Sequence, residues 1–152
     1  MTAASSNVRI VVAEDDVDDR LLIEDAFSES NVEADVHFVE DGEELLAFLR
    51  REGKWESLRG EPYPGLVLLD LNMPRMDGRE ALKQIKSDQD LRCIPVVIFS
   101  TSRAQEDIAD SYGAGANSFI SKPVSFEGLL DIVRGLKKYW GEIAELPPES
   151  SC

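Results

Sequence analysis

Basic side chains, histidine and cysteine are all scarce in this chain, and each shortage removes a class of function. Sixteen Lys and Arg stand against thirty Asp and Glu, for a formal charge of −14. Proteins grip nucleic acid through clustered Lys and Arg on its phosphates, so no direct nucleic-acid partner is expected. His37 is the only histidine and sits in a strand-like run, which argues against a nucleophile–histidine pair or a histidine-rich metal site. Cys93 and Cys152 are too few and too far apart to suggest a disulfide framework or a zinc site, and Cys152, the last residue, reads as a free thiol. No apolar run approaches the ~18 residues of a membrane span. Residues 1–7 have neither the basic flank nor the apolar stretch of a secretory signal, so a cytoplasmic protein without a membrane partner is expected.

What the chain does have is 152 residues, 43% of them apolar, enough for one domain with a proper core. Short apolar runs alternate with helical patterns. Strands are expected at 8–13, 34–39, 66–69, 95–99 and 117–121. Helices are expected after each: one with Leu22, Ile23, Ala26 and Phe27 inward, one burying Leu45, Leu46, Phe48 and Leu49, one over 79–87, a short one carrying Ile108, Ala109 and Tyr112, and a last one over about 125–140. Residues 51–64 form a long polar connection, and Pro147-Pro148 opens a tail read as disordered. Five strands alternating with five helices imply an α/β fold, a doubly wound parallel sheet.

The run Leu66-Val67-Leu68-Leu69 is the centre of this pattern, and Asp70 follows it directly. Taken alone, Asp70 serves equally as a turn cap before Pro74. Its neighbours decide otherwise. Glu14 and Asp15 follow the first strand, Ser100 the fourth and Lys122 the fifth. The carboxyl ends of parallel strands lie on one edge, where open α/β sheets bind ligands. Three carboxylates and a backbone carbonyl suit Mg²⁺, a hard cation that prefers oxygen. Lys122 and Ser100 suit phosphoryl oxygens. The set is built to receive a phosphoryl group on Asp70, with the metal and Lys122 neutralising charge during transfer. Asp18 and Asp19 read instead as acids satisfying a helix N-terminus.

The segments Val11-Val12-Ala13-Glu14-Asp15-Asp16, Leu68-Leu69-Asp70-Leu71-Asn72-Met73-Pro74-Arg75-Met76-Asp77-Gly78, Pro95 to Thr101 and Gly115 to Pro123 together resemble the motif set of response-regulator receiver domains over about residues 8 to 140. The resemblance implies a flavodoxin-like five-stranded sheet in the order 2-1-3-4-5. It implies that Asp70 accepts a phosphoryl group from a histidine kinase. Asp15, Asp70 and the Asn72 backbone carbonyl would hold Mg²⁺, with Glu14 acting through a metal-bound water. Lys122 would contact the phosphoryl group, aided by a cis peptide before Pro123. Ser100 and Phe119 would form the switch. The side chains of Asn72 and Ser102 would flank the phosphoryl group and set its lifetime. Glu14 stands where many members carry Asp, and Phe119 where Tyr is also common.

On this basis the chain divides into a disordered tail at 1–7, a receiver at 8–140 and a partly disordered extension at 141–152, with no output domain expected. The long connection, residues 88–92, Lys122-Pro123-Val124 and the segment 139–147 resemble the stand-alone regulators paired with bacterial and cyanobacterial phytochrome kinases. The expected function is therefore that of a single-domain response regulator, not an enzyme beyond its own phosphorylation and dephosphorylation. A shuttle or sink in a multistep phosphorelay is the alternative. An aspartate-nucleophile phosphohydrolase would need an acid two positions after Asp70, where Asn72 stands. A flavin or nucleotide binder would need a phosphate loop where Glu14-Asp15-Asp16 repels one. On the last helix, Phe126, Leu129, Leu130, Val133 and Trp140 are assigned to the sheet. Ile132, Leu136 and Tyr139, extended by Ile143, form a second stripe, which predicts a homodimer through this helix and the tail.

Overall fold

A strand covered on both faces tends to be apolar at every position, and of the five described strands Leu66–Leu69 alone is so throughout. The computed structural model describes residues 8–30 and 34–147. Strands β1 (Val8–Ala13), β2 (Ala34–Val39), β3 (Leu66–Leu69), β4 (Val96–Ser100) and β5 (Ser118–Ser121) are all parallel and run in the order β2-β1-β3-β4-β5. Helices α1 (Val17–Glu29), α2 (Gly42–Arg50), α3 (Gly78–Ser87), α4 (Gln105–Gly113) and α5 (Phe126–Lys138) connect and follow them. This is the flavodoxin-like topology that the motifs implied. The strand alternation feeds two cores. Val11, Ala13, Val67, Leu69, Val96 and Ile98 pack with α2 and α3 on one face. Ile10, Val12, Leu66, Leu68, Val97 and Phe99 pack with α1 and α5 on the other.

Local chemistry sets the helix starts. Asp16, Asp41, Asp77 and Ser125 each cap a helix, the side-chain oxygen accepting from the backbone N–H three residues on. The 51–64 connection is not a plain loop. It contains a 3-10 turn, Gly53–Leu58, and is fastened by the buried Arg51.

Several apolar assignments need correction. Leu22 was expected inward but is 46% exposed, because α1 buries only the narrower arc of Ile23, Ala26 and Phe27. On α4, Ile108 is half-buried while Ala109 and Tyr112 are exposed, and the buried residue is Ser111, whose hydroxyl donates to the Asp107 carbonyl. Leu136, placed on the outer stripe of α5, is instead a core residue with Leu129 and Val133, three and four positions apart on one face. Ile132 is half-buried against the same core. Past α5 the helix widens into a π turn over Tyr139–Ile143, which leaves Tyr139 and Ile143 exposed.

Cys93 is disulfide-bonded, which the cysteine count and spacing did not suggest: distance along a chain does not bound distance in space. The expectations for Cys152 and for the tails at 1–7 and 148–152 lie outside the described residues. Among the described residues no helix is long and apolar enough to cross a membrane.

Candidate functional site

Backbone ties just beyond the strand ends gather the polar residues. The Glu14 N–H donates to the Val39 carbonyl at 3.0 Å, the Asp70 N–H to Ala13 at 3.2 Å, and the Lys122 N–H to Ser100 at 2.8 Å. Glu14, Asp70, Ser100 and Lys122 thus stand at one edge of the sheet. Oxygens of Glu14, Asp15 and Asp70 lie within 4.8 Å of one another. Glu14 is 2% exposed and Asp70 8%, whereas Asp15 faces solvent. The grouping of these three carboxylates is the one the sequence predicted.

The Lys122 ammonium stands among carboxylates. It donates to Glu14 Oε1, to Asp19 Oδ2 at 3.2 Å and to Asp70 Oδ2 at 3.4 Å. Asp19 is the member that sequence reasoning missed. Its place in the first turn of α1 has a sufficient local explanation, and nothing local signals a partner on β5. Burial raises the Glu14 pKa from 4.5 to about 7, and the hydrogen bond and charge of Lys122 counter it only in part. Burial also pulls the Lys122 pKa down, but the hydrogen bond and charge from Glu14 outweigh it, so the ammonium titrates well above its ordinary range. Lys122 is therefore charged, while the Glu14 carboxyl keeps its proton to higher pH than an ordinary carboxyl. Converging carboxylate oxygens, one of them on a carboxyl whose ionisation burial disfavours, fit a divalent cation, which would displace that proton and satisfy the charge.

The loop after β3, which carries Asn72, is held by close approaches. A Cβ on Gly78 would lie 2.0 Å from the Asp70 carbonyl oxygen, so only glycine lets α3 begin against that strand end. The Gly42 N–H donates to the Met76 carbonyl at 2.8 Å. Arg75, at φ 62°, donates through Nε to Asp41 Oδ2 at 2.6 Å.

Ser100 is fully buried, and its hydroxyl oxygen accepts from the Ser102 N–H at 3.2 Å. Phe119, on β5 beside Ile98, is half-buried, and its N–H donates to the Tyr112 hydroxyl at 3.2 Å. The cis peptide expected before Pro123 is not found: no peptide among the described residues is cis. Trans is the intrinsically favoured isomer of an X–Pro bond. From it Lys122 still reaches Glu14 and Asp70.

Residues 10–134 match the response regulator receiver domain family. The chain belongs to that family. As a receiver it is 36% identical over 138 residues to response regulator Rcp1 of Synechocystis sp., covering 91% of this chain and 92% of Rcp1. It superposes with a TM-score of 0.84 and 42% identity on the phosphorylated cyanobacterial phytochrome response regulator RcpA, covering 93% of this chain and 99% of RcpA. The Mn²⁺-bound form of Rcp1 aligns with a TM-score of 0.82 and 35% identity, over 93% of this chain and 99% of that one. The receiver is thus related to phytochrome response regulators; receivers bind Mg²⁺ or Mn²⁺ at an acidic pocket, and the cluster of Glu14, Asp15 and Asp70 fits one.

Proposed function

We propose that this receiver is a single-domain response regulator that takes a phosphoryl group on Asp70 from the phosphohistidine of a phytochrome-type sensor kinase. The observation that carries the reading is the Asp70 carboxylate itself, withdrawn from bulk water and set between an acidic cluster and the Lys122 ammonium. In the transfer, an Asp70 oxygen forms a bond to phosphorus while the P–N bond to imidazole breaks, and the imidazole keeps the electron pair and takes a proton. Asp15, Asp70 and the Asn72 carbonyl would hold Mg²⁺, with Glu14 one water away. When bound, the ion supplies positive charge to the phosphoryl oxygens. Lys122 leaves its carboxylate partners to meet a phosphoryl oxygen, and the Ser100 hydroxyl, whose proton is free to donate, binds another. Phe119 then moves further inward and alters the surface around β5.

The phytochrome relatives support the choice of kinase, and we take residues 8–140 as the receiver and 141–152 as an extension. We place the protein in the cytoplasm, with no catalysis beyond its own phosphorylation and dephosphorylation. The exposed Tyr139 and Ile143 at the end of α5 favour a homodimer through this helix and the tail. Arginine at both positions is expected to give a folded monomer in sedimentation, and a wild type that is monomeric with and without phosphate rejects the dimer. The phosphoacceptor is tested by incubation with acetyl phosphate and Mg²⁺, followed by intact-mass measurement. Wild type is expected to gain one phosphoryl group and Asp70→Asn none. Equal yields from the two would refute the assignment.

A further inference from the structure

On the side of the site that faces α3 and α4, polar side chains form one continuous bridge between the loops after β3 and β4. Arg79, in the first turn of α3, donates through Nη1 to Asn72 Oδ1 at 3.4 Å and through Nη2 to Asp107 Oδ1 at 3.0 Å. Asp107, in the first turn of α4, accepts through its other oxygen from the Ser102 hydroxyl at 2.6 Å. The Ser102 hydroxyl oxygen in turn accepts from the Ala104 N–H at 3.3 Å, and the Ser102 N–H donates to the Ser100 hydroxyl. Hydrogen bonds from Ser102 and Arg79 hold the Asp107 carboxyl below its ordinary pKa, so the bridge is ionic at neutral pH.

We propose that Arg79 and Asp107 are positioning residues that latch these two loops together across the mouth of the site and thereby slow the approach of water to a phosphoryl group on Asp70. The inference rests on the reading of Asp70 as phosphoacceptor. Loss of the group requires a water oxygen to bond phosphorus opposite the Asp70 oxygen. The P–O bond to Asp70 breaks, its electron pair returns to the carboxylate, and inorganic phosphate leaves as the water's proton passes to solvent. The loops after β3 and β4 flank Asp70 at this edge of the sheet, and Asn72, two residues past Asp70, and Ser102, two residues past the end of β4, stand on them. The side chains of both are bound into the bridge, Asn72 by the guanidinium and Ser102 by the carboxylate that the same guanidinium holds. One ion pair therefore governs both sides of the entry. The role is positional, since neither Arg79 nor Asp107 reaches Asp70.

The test is the rate of phosphate loss from protein phosphorylated with acetyl phosphate and Mg²⁺, followed by intact mass after the donor is removed, alongside the thermal midpoint of each variant. Arg79→Ala and Asp107→Ala are each expected to lose phosphate about threefold to fivefold faster, the scale of a partly exposed ion pair. The double variant is expected to be no faster than either single one, because opening the latch once is enough. Arg79→Lys, which keeps the charge opposite Asp107, is expected to recover part of the wild-type lifetime. Lifetimes equal to or longer than wild type overturn the latch, even if the midpoints fall, and so do multiplicative effects in the double variant. Wild type that gains no phosphoryl group fails the Asp70 reading and the latch with it. Phosphorylated variants with wild-type lifetimes fail the latch alone.

Discussion

Arg51 and Lys122 are both cations withdrawn from water, at opposite ends of the same sheet, and their surroundings could hardly differ more. Arg51 is 7% exposed and ends α2 in the left-handed conformation. Its guanidinium donates to the carbonyls of Phe48 at 3.0 Å, Leu58 at 3.1 Å, Glu61 at 3.3 Å and Pro62 at 2.8 Å, and lies over the rings of Phe48 and Tyr63. Every one of those acceptors is neutral. Among the described residues the side-chain acceptors of Lys122 are all carboxylates, those of Glu14, Asp19 and Asp70, beside the Phe99 ring 6.0 Å away. A cage of carbonyls has no proton to gain or lose and no reason to exchange its cation. A cage of carboxylates carries surplus negative charge that a metal ion, a proton or a phosphoryl group can redistribute. The first arrangement fastens a loop, and the second is suited to chemistry.

The largest effect should come from breaking the carbonyl cage. Arg51→Met removes the donors of four carbonyls at once and is expected to cost about 3 kcal/mol of stability, read from urea unfolding. Phosphorylation by acetyl phosphate should persist in the folded fraction. A loss of phosphorylation at unchanged stability would erase the distinction between the two ends.

Lys122→Met should show the reverse pattern. Removing a cation aimed at developing phosphoryl charge is expected to slow phosphorylation about a hundredfold or more. Stability should fall less than for Arg51→Met, because Glu14 can take up a proton in place of the lost charge, an escape the carbonyls around Arg51 lack. Stopped-flow or quench measurement of the phosphorylation rate, beside the same urea titration, separates the two outcomes.

The same contrast marks how far the residues themselves disclosed the structure. The buried run of β3 and the carboxylate ending it were legible, because an unbroken apolar stretch between turn signals leaves few alternatives. Asp15, Ser100 and Lys122 were legible for the same reason, each standing where such a run stops. Arg51 was not: it lies in a polar connection, and nothing in its neighbours says that four carbonyls will close around it. Asp19 was hidden by a good local explanation, since helix N-termini favour acids whatever else they meet. Leu136 was legible but misassigned, since seven residues at ~100° each return it to within about 20° of Leu129, on the core face. The Arg79–Asp107 bridge depends on tertiary placement alone.

Asp15 sharpens the comparison from the metal side. Its carboxylate is exposed and adds to the surplus charge without contacting Lys122, so Asp15→Ala removes an oxygen ligand while leaving the cation cage intact. Mg²⁺ affinity is expected to fall about tenfold, measured by calorimetry, a change typical of losing one ligand contact to a divalent ion. The metal-free protein should be equally stable or slightly more stable, because crowded carboxylates repel one another in the absence of the ion. Unchanged Mg²⁺ affinity would mean that Asp15 is not a ligand.

The smallest effect concerns protons. In the folded chain burial holds the Glu14 pKa at about 7, against 4.5 in the unfolded one. Between those values the native state keeps a proton that the unfolded state releases, so its contribution to stability declines as pH rises from about 4.5 to 7 and levels off above. Lys122 adds nothing in this window, since its shift is upward from 10.5 and its contribution is lost only at alkaline pH. Asp107, lowered from 3.8, acts only on the acid side. Urea titrations of metal-free protein from pH 5 to 8 should therefore show a declining component that Glu14→Gln removes. With saturating Mg²⁺ the decline should vanish or reverse, because a cation on these oxygens binds better as the carboxyl ionises. A wild type and a Glu14→Gln variant with parallel pH profiles would mean that Glu14 is already fully ionised beside Lys122. The carboxylate cage would then be as fixed as the carbonyl one.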